Sequence, residues 1–500
     1  MKRSVLKNAS FVTLLSVLKR ALGFLYRILL ARLLTAEGIG LYQNATSFFY
    51  VFVTLGAGGI PVTVSRFICK NRAAGEHFKD GKTLSAAFLV GVFTTLPFLI
   101  LFLAFGQKLT FLFSDTRAIL PTKLLFIGLT FSSLYHSLRG AFWGNKQLIL
   151  PNVLELIEEC INVAVGVLLL SFSSSLEDGV LRATAAVAIT DTSCFLIAFI
   201  TYFAQKKKLS SPKGHILPLI RSAAPITAMR VTTSLVNSIV ATLLPFMLIK
   251  SGLSQSDALS KFGVVTGMVM PILFVPSTLI GSLTFVLVPE LSENYYKKNF
   301  KTLALNIERG LFSSIVIACV LIPFFFAIGN PLGLITYQNA LAGEMIAHSS
   351  PILLPISLTM ISSGILNSMG YEKQTFLFSL IGEAALLLCI LILPKFVGVY
   401  AYVIAIGVNF VLSTVLSLRF LFKRLKPSGS FFKRTLLCGL LTIPLCFLGR
   451  LFYRLFLSFT GELLCVILTA ICLTAITLFA YFLAGFLPKK ATFKVFLRKK

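Results

Sequence analysis

Four cations interrupt the first hydrophobic segment, which reads LKRALGFLYRILLARLL from Leu18 to Leu34. Arg20 and Arg27 are seven residues apart, so a helix presents them on nearly the same face, with Gly23 between them. An Arg or Lys at the bilayer centre costs roughly 2.5–3.5 kcal/mol, and such residues usually have a function. The planar guanidinium stays charged and forms bidentate hydrogen bonds that suit phosphate. We therefore predict that Arg20 and Arg27 bind an anionic ligand, with no carboxylate at i±3 or i±4 to neutralise them.

Three further charged residues are candidates for the same binding site. Arg230, in PITAMRVTTSLVNS, is flanked by Thr and Ser, which make a polar face in an otherwise apolar segment. Arg66 ends the segment GGIPVTVSR and could equally be an anchor at the membrane interface. Glu37, in LLTAEGIG, could balance Arg27 or Arg32 when the site is empty.

The remaining charges in apolar segments have competing interpretations. Lys19 and Arg32 could reach opposite membrane interfaces with their long side chains. Glu158, in ELIEECIN, and Asp191 in the next apolar segment could couple transport to an ion. Polar contacts that hold helices together explain these two acidic residues equally well.

The elements that must position these residues are membrane-spanning helices. The chain has 500 residues, of which 56% are hydrophobic and 13% charged, whereas soluble domains average about 25% charged residues. Apolar runs near 20 residues mark spans, and the sequence predicts an all-α polytopic protein with about fourteen transmembrane helices. The predicted spans are 11–33, 39–64, 83–106, 119–138, 151–172, 181–204, 222–249, 263–289, 305–329, 346–368, 375–393, 399–418, 435–457 and 463–486.

The distribution of Lys and Arg predicts the orientation of these spans. With the N-terminus in the cytoplasm, the inside segments contain 31 of these residues and the outside loops contain 5. Cytoplasmic loops are enriched in Lys and Arg, so we expect a multi-pass protein of the cell membrane with both termini cytoplasmic. The net charge of +28 is then this bias plus attraction to anionic membrane lipids, and it requires no nucleic acid.

A weak repeat predicts the domain organisation. At an offset of 227 residues, GNKQ at 144–147 corresponds to the end of GYEKQ at 370–374, and both lie on predicted inside turns. The prediction is two six-helix lobes in a pseudo-twofold arrangement with a cleft between them, followed by two more helices. The boundaries are 1–204 for the first lobe, 205–221 for a basic cytoplasmic linker, 222–421 for the second lobe, 435–486 for the helix pair and 487–500 for a basic tail.

The sequence lacks the motifs of several functional classes. The segment GEHFKDGKT at 75–83 has its first glycine one residue too far from Gly-Lys-Thr for a phosphate-binding loop. Four histidines and nine cysteines show no metal-binding spacing, and no GxSxG is present. We therefore predict a secondary transporter, not an enzyme, with no catalytic residues, metal or cofactor.

The segments KRALGFLYRILLARLLTAEGIGLYQ, GGIPVTVSR, RGAFWGNKQLILPNVLELIEE and ILNSMGYEKQT resemble the polysaccharide-transport branch of the multidrug/oligosaccharidyl-lipid/polysaccharide exporter superfamily. Within that branch they are most similar to the stage V sporulation B proteins and the MurJ-type lipid II flippases. The resemblance implies an alternating-access exporter with a cationic cavity. In that family the first helix carries essential arginines. Arg20 matches the first of them, Arg27 matches the second with a one-residue shift, and Glu37 matches loosely a functional acidic residue.

The expected function is the movement of an undecaprenyl-diphosphate-linked sugar, either a peptidoglycan precursor or a polysaccharide repeat unit, across the membrane. The alternative is a cation-coupled multidrug exporter of the same superfamily, whose cavity would need carboxylates. A scaffold or lipid scramblase would need no buried arginine cluster. The expected partners are the anionic lipid-linked substrate and membrane lipids. The chain would act as a monomer, with cell-wall synthesis proteins as further candidate partners and a role in wall, spore or polysaccharide synthesis.

Overall fold

The computed structural model describes residues 2–147, 149–425 and 429–486, and the regular elements within those ranges are helices. Helices are expected here because each one satisfies its own backbone N–H and C=O groups, for which a bilayer core offers no water. By their internal contacts, the helices divide into two compact units, Met1–Gly263 and Val264–Lys500.

The first unit contains eight helices within its described residues. Short 3-10 turns lie at Gly106–Lys108, Thr110–Leu112 and Thr116–Ala118. The helices are α1 (Lys2–Ala57), α2 (Ile60–Ala73), α3 (Lys79–Phe105), α4 (Ile119–Gly144), α5 (Ile149–Leu170), α6 (Leu176–Ala204), α7 (Ile216–Lys250) and α8 (Gln255–Gly263).

Two breaks shape the beginning of the first unit. Thr35 has φ 62° and ψ 176°, so α1 is two helical segments joined at a kink. Gly58 and Gly59 separate α1 from α2, and a Cβ at Gly59 would collide with the backbone oxygen of Ala223. Glycine is therefore needed at this position because α7 approaches the junction so closely.

The second unit begins with a π-helical turn, Val264–Val269, and contains a 3-10 turn at Ser350–Ile352. Tyr481 of its last helix joins neighbouring helices, because its hydroxyl lies 2.8 Å from Thr442 Oγ1 and donates to the carbonyl oxygen of Cys319 at 3.2 Å. The predicted C-terminal helix pair therefore packs against the helix that carries Cys319. The helices are α9 (Met270–Phe274), α10 (Ser277–Tyr296), α11 (Phe300–Tyr337), α12 (Ala340–Ser349), α13 (Leu353–Ser368), α14 (Glu372–Ile392), α15 (Pro394–Val397), α16 (Tyr400–Arg424), α17 (Gly429–Leu457) and α18 (Glu462–Leu483).

The span prediction agrees with this arrangement. In the described part of the chain, 12 helices are long and apolar enough to cross a membrane. The first of them, Leu14–Ala73, has 60 residues, enough for two crossings of a core about 30 Å thick, and the kink at Thr35 divides it. Helix α5, with 22 residues and three glutamates, is not one of these 12, and its assignment as a span stays a prediction. The prediction of an all-α polytopic membrane protein is confirmed.

The lobe boundary in the linker at 205–221 stays a prediction. Contacts divide the chain further along, between Gly263 and Val264. The reason is that α7 packs against α1, α2 and α3, so it belongs to the first unit. The repeat itself, the assignment of six helices to each lobe and the tail at 487–500, which lies outside the described residues, stay predictions.

The connection between α6 and α7 packs against α4 and α6. The Lys207 ammonium lies 5.2 Å from the ring centroid of Tyr202 and 5.7 Å from that of Phe142. Its Nζ is buried and has no hydrogen-bond partner among the described residues. Burial lowers the pKa of Lys207 from its usual 10.5 to about 8, and the neighbouring Arg72 adds to the effect.

Candidate functional site

The predicted arginine face of α1 is partly covered by carboxylates of α5. Glu155 Oε2 accepts a hydrogen bond from Lys19 Nζ at 2.9 Å. One turn further along both helices, Glu159 Oε1 lies 2.9 Å from the point where a Cβ on Gly23 would be. Arg27, a further turn along α1, is within electrostatic range of Glu159. The open backbone that we expected at Gly23 therefore has a carboxylate beside it.

Arg20 and Arg27 are both exposed in the structure. Both lie well inside the first predicted span, 11–33, and Arg20 is next to Lys19, with which it interacts electrostatically. An exposed guanidinium at that depth must face water or a polar ligand, because hydrocarbon cannot solvate it. Their seven-residue spacing keeps them on one side of α1.

Arg139 of α4 also belongs to this cluster, and no motif in the sequence indicates that it would. Its guanidinium also pairs with Glu155, on the oxygen that Lys19 does not use. It lies 5.7 Å from the ring centroid of Tyr135 and 5.4 Å from that of Trp143. Its Nε is buried and donates to no acceptor among the described residues. Arg139 thus holds one carboxylate and keeps one donor open.

Glu158 and Asp191 lie close enough to interact electrostatically, and Asp191 also contacts the Ser132 hydroxyl of α4. Helix α5, which carries Glu158, packs against α6, which carries Asp191. Glu158 Oε2 and the Tyr135 hydroxyl are buried, and neither makes a hydrogen bond with the part of the chain that the structure describes. The two predicted coupling residues are therefore brought together, and their role in ion coupling stays a prediction.

Arg230 lies in the middle of α7, and its neighbours explain the polar face seen in the sequence. Thr227 Oγ1 accepts a hydrogen bond from the backbone N–H of Gly59 at 2.9 Å. Ser234 Oγ lies 2.9 Å from Thr54 Oγ1. The hydroxyls hold α7 against α1 and α2, while Arg230 is exposed and within electrostatic range of His136 on α4.

Arg66 does not end its helix. Helix α2 continues to Ala73, and Arg66 is exposed on its surface about two turns before that end. The cations in the last turn of α2 are instead Lys70 and Arg72. Whether Arg66 contacts the ligand stays a prediction.

Glu37 pairs with an arginine that we did not expect. Arg117 Nη2 lies 2.7 Å from Glu37 Oε1, and Ser256 Oγ donates to Glu37 Oε2 at 2.6 Å. The same guanidinium contacts the buried Asp115 at 2.8 Å. These contacts join α1, α8 and the loop before α4. The balance of Glu37 with Arg27 or Arg32 stays a prediction, and so does the role of Glu37 in ligand binding.

On α1 itself, no carboxylate lies at i±3 or i±4 of Arg20 or Arg27. The structure supplies Glu155 and Glu159 from α5, which lies alongside α1. The spacing in ELIEE predicts only that positions 155 and 159 share a helix face, and it does not identify the helix that faces them.

The mixture of charges at this site is suited to binding an anion, because its exposed charges are guanidinium groups. Arg20, Arg27 and Arg230 are exposed, whereas Glu155, Glu158, Glu159 and Asp191 are half-buried. Arginine forks bind phosphate oxygens in pairs. The fold and this site define a polytopic membrane protein of the exporter and flippase class.

Comparison with known proteins places the chain within that class. It matches the family described as polysaccharide biosynthesis protein over residues 5–295, and the chain belongs to that family. Stage V sporulation protein B of Bacillus subtilis (strain 168) is 23% identical to it over 431 residues, which cover 83% of each protein. Lipid II flippase MurJ of the same strain is 20% identical over 444 residues, covering 83% of this chain and 81% of the relative.

The fold is also that of a solved transport protein. A structure of lipid II flippase MurJ in an inward closed conformation superposes with a TM-score of 0.73 at 15% identity, covering 94% of this chain and 98% of that one. The resemblance found in the sequence motifs is therefore confirmed. The relatives are transport and sporulation proteins, which agrees with the prediction that the chain is not an enzyme.

Proposed function

We propose that the chain is an alternating-access flippase that moves an undecaprenyl-diphosphate-linked sugar from the cytoplasmic to the outer face of the membrane. The observation that carries this proposal is the pair Arg20 and Arg27, exposed on one side of α1 inside a predicted span. A diphosphate offers the charge and oxygen geometry that two such guanidiniums bind best. The names of the two curated relatives support a cargo of this kind, used in cell-wall or spore synthesis.

The proposed topology suits uptake of the cargo from the cytoplasmic side. Both termini and the basic inside segments would lie in the cytoplasm. The basic inside segments would then attract both the anionic membrane lipids and the diphosphate headgroup. No soluble partner is needed for binding, and we propose that one chain suffices for transport.

A cation-coupled multidrug exporter is the second candidate, and one observation favours it. Glu158 and Asp191 are neighbouring acidic residues within the first unit, as a cationic drug or a coupling ion would require. They are less exposed than the arginines, so a large cation would reach them less easily than an anion reaches Arg20 and Arg27. This difference in access favours the anionic cargo.

The deciding experiment measures flipping of a lipid-linked precursor, per inserted molecule, by the Arg20→Ala/Arg27→Ala double variant. Each alanine removes a charge-assisted contact worth on the order of 1.5–3 kcal/mol, about ten- to hundredfold in affinity. Arg→Lys variants should be impaired less, because they keep the charge and lose only the fork. Arg182→Ala is the matched control, since Arg182 pairs with Asp178 at the start of α6. Wild-type flipping by the double variant would favour the drug exporter.

A further inference from the structure

The cargo-binding face of α1 is occupied by part of the protein itself. Lys19, Gly23 and Arg27 follow one another along α1 at intervals of one helical turn. Glu155 and Glu159 have the same spacing on α5. Glu155 contacts Lys19, Glu159 covers Gly23, and Glu159 is in electrostatic range of Arg27. The two carboxylates of α5 therefore lie beside successive turns of the cationic face of α1.

These two carboxylates carry a charge similar to that of a diphosphate. Residues four apart on a helix are about 6 Å apart along its axis, so the pair carries two negative charges within one turn. A diphosphate holds a similar charge in a more compact group. The cations that bind the carboxylate pair can therefore also bind a diphosphate.

We propose that Glu155 and Glu159 are built-in counter-anions, which the diphosphate of the lipid-linked cargo displaces from α1 and which return when the cargo leaves. The inference rests on the proposed function. It also adds Lys19 and Arg139 to the residues that bind the cargo, because both are held by Glu155 in this structure.

The physical reason is the cost of unpaired charge at membrane depth. Without Glu155 and Glu159, the cations of α1 and α4 would have no counter-charge each time the empty transporter reorients. Carboxylates tethered beside the site are always at high effective concentration, so they can replace a departing ligand at once. The same competition prevents the cargo from binding so tightly that it cannot be released.

Arg139 gives the cargo an advantage over Glu155. Its Nε is buried without an acceptor, although the guanidinium already pairs with Glu155. A buried donor left unsatisfied costs free energy, so a ligand with more oxygens gains by satisfying it. Glu155 accepts from Lys19 and from one Nη of Arg139, which uses both of its oxygens. A diphosphate has enough oxygens to accept from these two groups and from Arg139 Nε as well.

The test measures binding of undecaprenyl diphosphate to the purified full chain in nanodiscs, with uncharged undecaprenol as the comparison lipid. The Glu155→Gln/Glu159→Gln variant should bind the diphosphate about tenfold more tightly than wild type, because the competing anions are gone. Its binding of undecaprenol should not change. Unchanged or weaker binding of the diphosphate would overturn the inference. If the double variant does not fold, the single variants Glu155→Gln and Glu159→Gln, each expected to tighten binding about threefold, are measured instead.

Two further variants separate competition from a structural effect. Glu76→Gln removes the same charge from the ion pair of Glu76 with Lys79 in the turn between α2 and α3, so it should leave binding unchanged. In a Lys19→Gln/Arg139→Gln background, adding Glu155→Gln should no longer tighten binding, since the cations for which Glu155 competes are absent. If Glu155→Gln still tightens diphosphate binding in that background, Glu155 does not compete with the diphosphate for these cations.

The proposed function and this inference can fail separately. If the folded wild-type protein does not bind undecaprenyl diphosphate, both are wrong. If it binds, and Arg20→Ala/Arg27→Ala weakens binding while the glutamate variants leave it unchanged, only the inference is wrong.

Discussion

Glu37 and Arg117 form an ion pair of 2.7 Å, and the same guanidinium lies 2.8 Å from Asp115, whose side chain is almost wholly buried. This places an acidic residue of α1 in a network that fixes the loop before α4. Sequence reasoning assigned Glu37 to the neighbourhood of the cargo, whereas its contacts point first to stability.

Arg117→Ala should lower the free energy of unfolding by about 2–3 kcal/mol, because it leaves the buried Asp115 without its counter-charge. Glu37→Gln should have a smaller effect, since Ser256 can still donate to the remaining oxygen. Reversible unfolding in mixed micelles measures both, and Asp115→Asn/Arg117→Leu should recover much of the loss. If Arg117→Ala is as stable as wild type and Glu37→Gln abolishes transport, Glu37 acts on the cargo and not on stability.

Accessibility labelling tests the proposed topology. A cysteine at Ser174, in the exposed turn before α6, should react with an impermeant reagent in intact cells. A cysteine at Ser211, in the connection between α6 and α7, should react only after permeabilisation. The exposed native residues Cys69 and Cys160 must first be replaced. The reverse labelling pattern would contradict an inside location for both termini.

Transport should not depend directly on ATP, because the sequence contains no phosphate-binding loop. Flipping is expected to continue in cells depleted of ATP when the membrane potential is maintained artificially. The potential is verified with a reporter dye in the same cells. Loss of flipping under those conditions would indicate that a separate ATPase drives the process.

Glu158 and Asp191 provide a test of ion coupling. If the pair carries a coupling ion, Glu158→Gln and Asp191→Asn should each reduce uphill transport at least tenfold while downhill exchange continues. Measuring both modes in proteoliposomes separates coupling from packing. Glu177→Gln, at the exposed start of α6, is the matched control. Equal losses in both modes would instead mean that these residues hold the helices together.

Lys207 should make stability depend on pH in the alkaline range. Its pKa is about 8 in the folded protein and near 10.5 when exposed, so between these values the unfolded chain binds more protons. Stability should therefore rise as pH increases from about 8 to 10.5. Lys207→Gln should remove this contribution, which melting curves at several pH values would show. An identical pH dependence in both proteins would mean that the Lys207 ammonium is solvated.

Much of the fold and part of the site could be predicted from the sequence. Hydropathy located the spans because each helix satisfies its backbone locally, and helical periodicity placed Arg20 and Arg27 on one face. The pairing of Lys19 with Glu155 was not predictable, because it joins residues 136 positions apart and depends on the register between two packed helices. Arg139 was assigned to a cytoplasmic loop, since a short apolar run did not show that α4 extends to Gly144.

Trp143 is the only tryptophan in the chain, and its ring is 5.4 Å from the Arg139 guanidinium. Indole fluorescence responds to charges and hydrogen-bond donors close to the ring. The intrinsic emission of the protein, excited at wavelengths where tyrosine absorbs little, therefore comes from one place beside the Arg139–Glu155 pair. Emission from unlabelled protein can thus follow, in real time, whether that pair is intact or has exchanged partners.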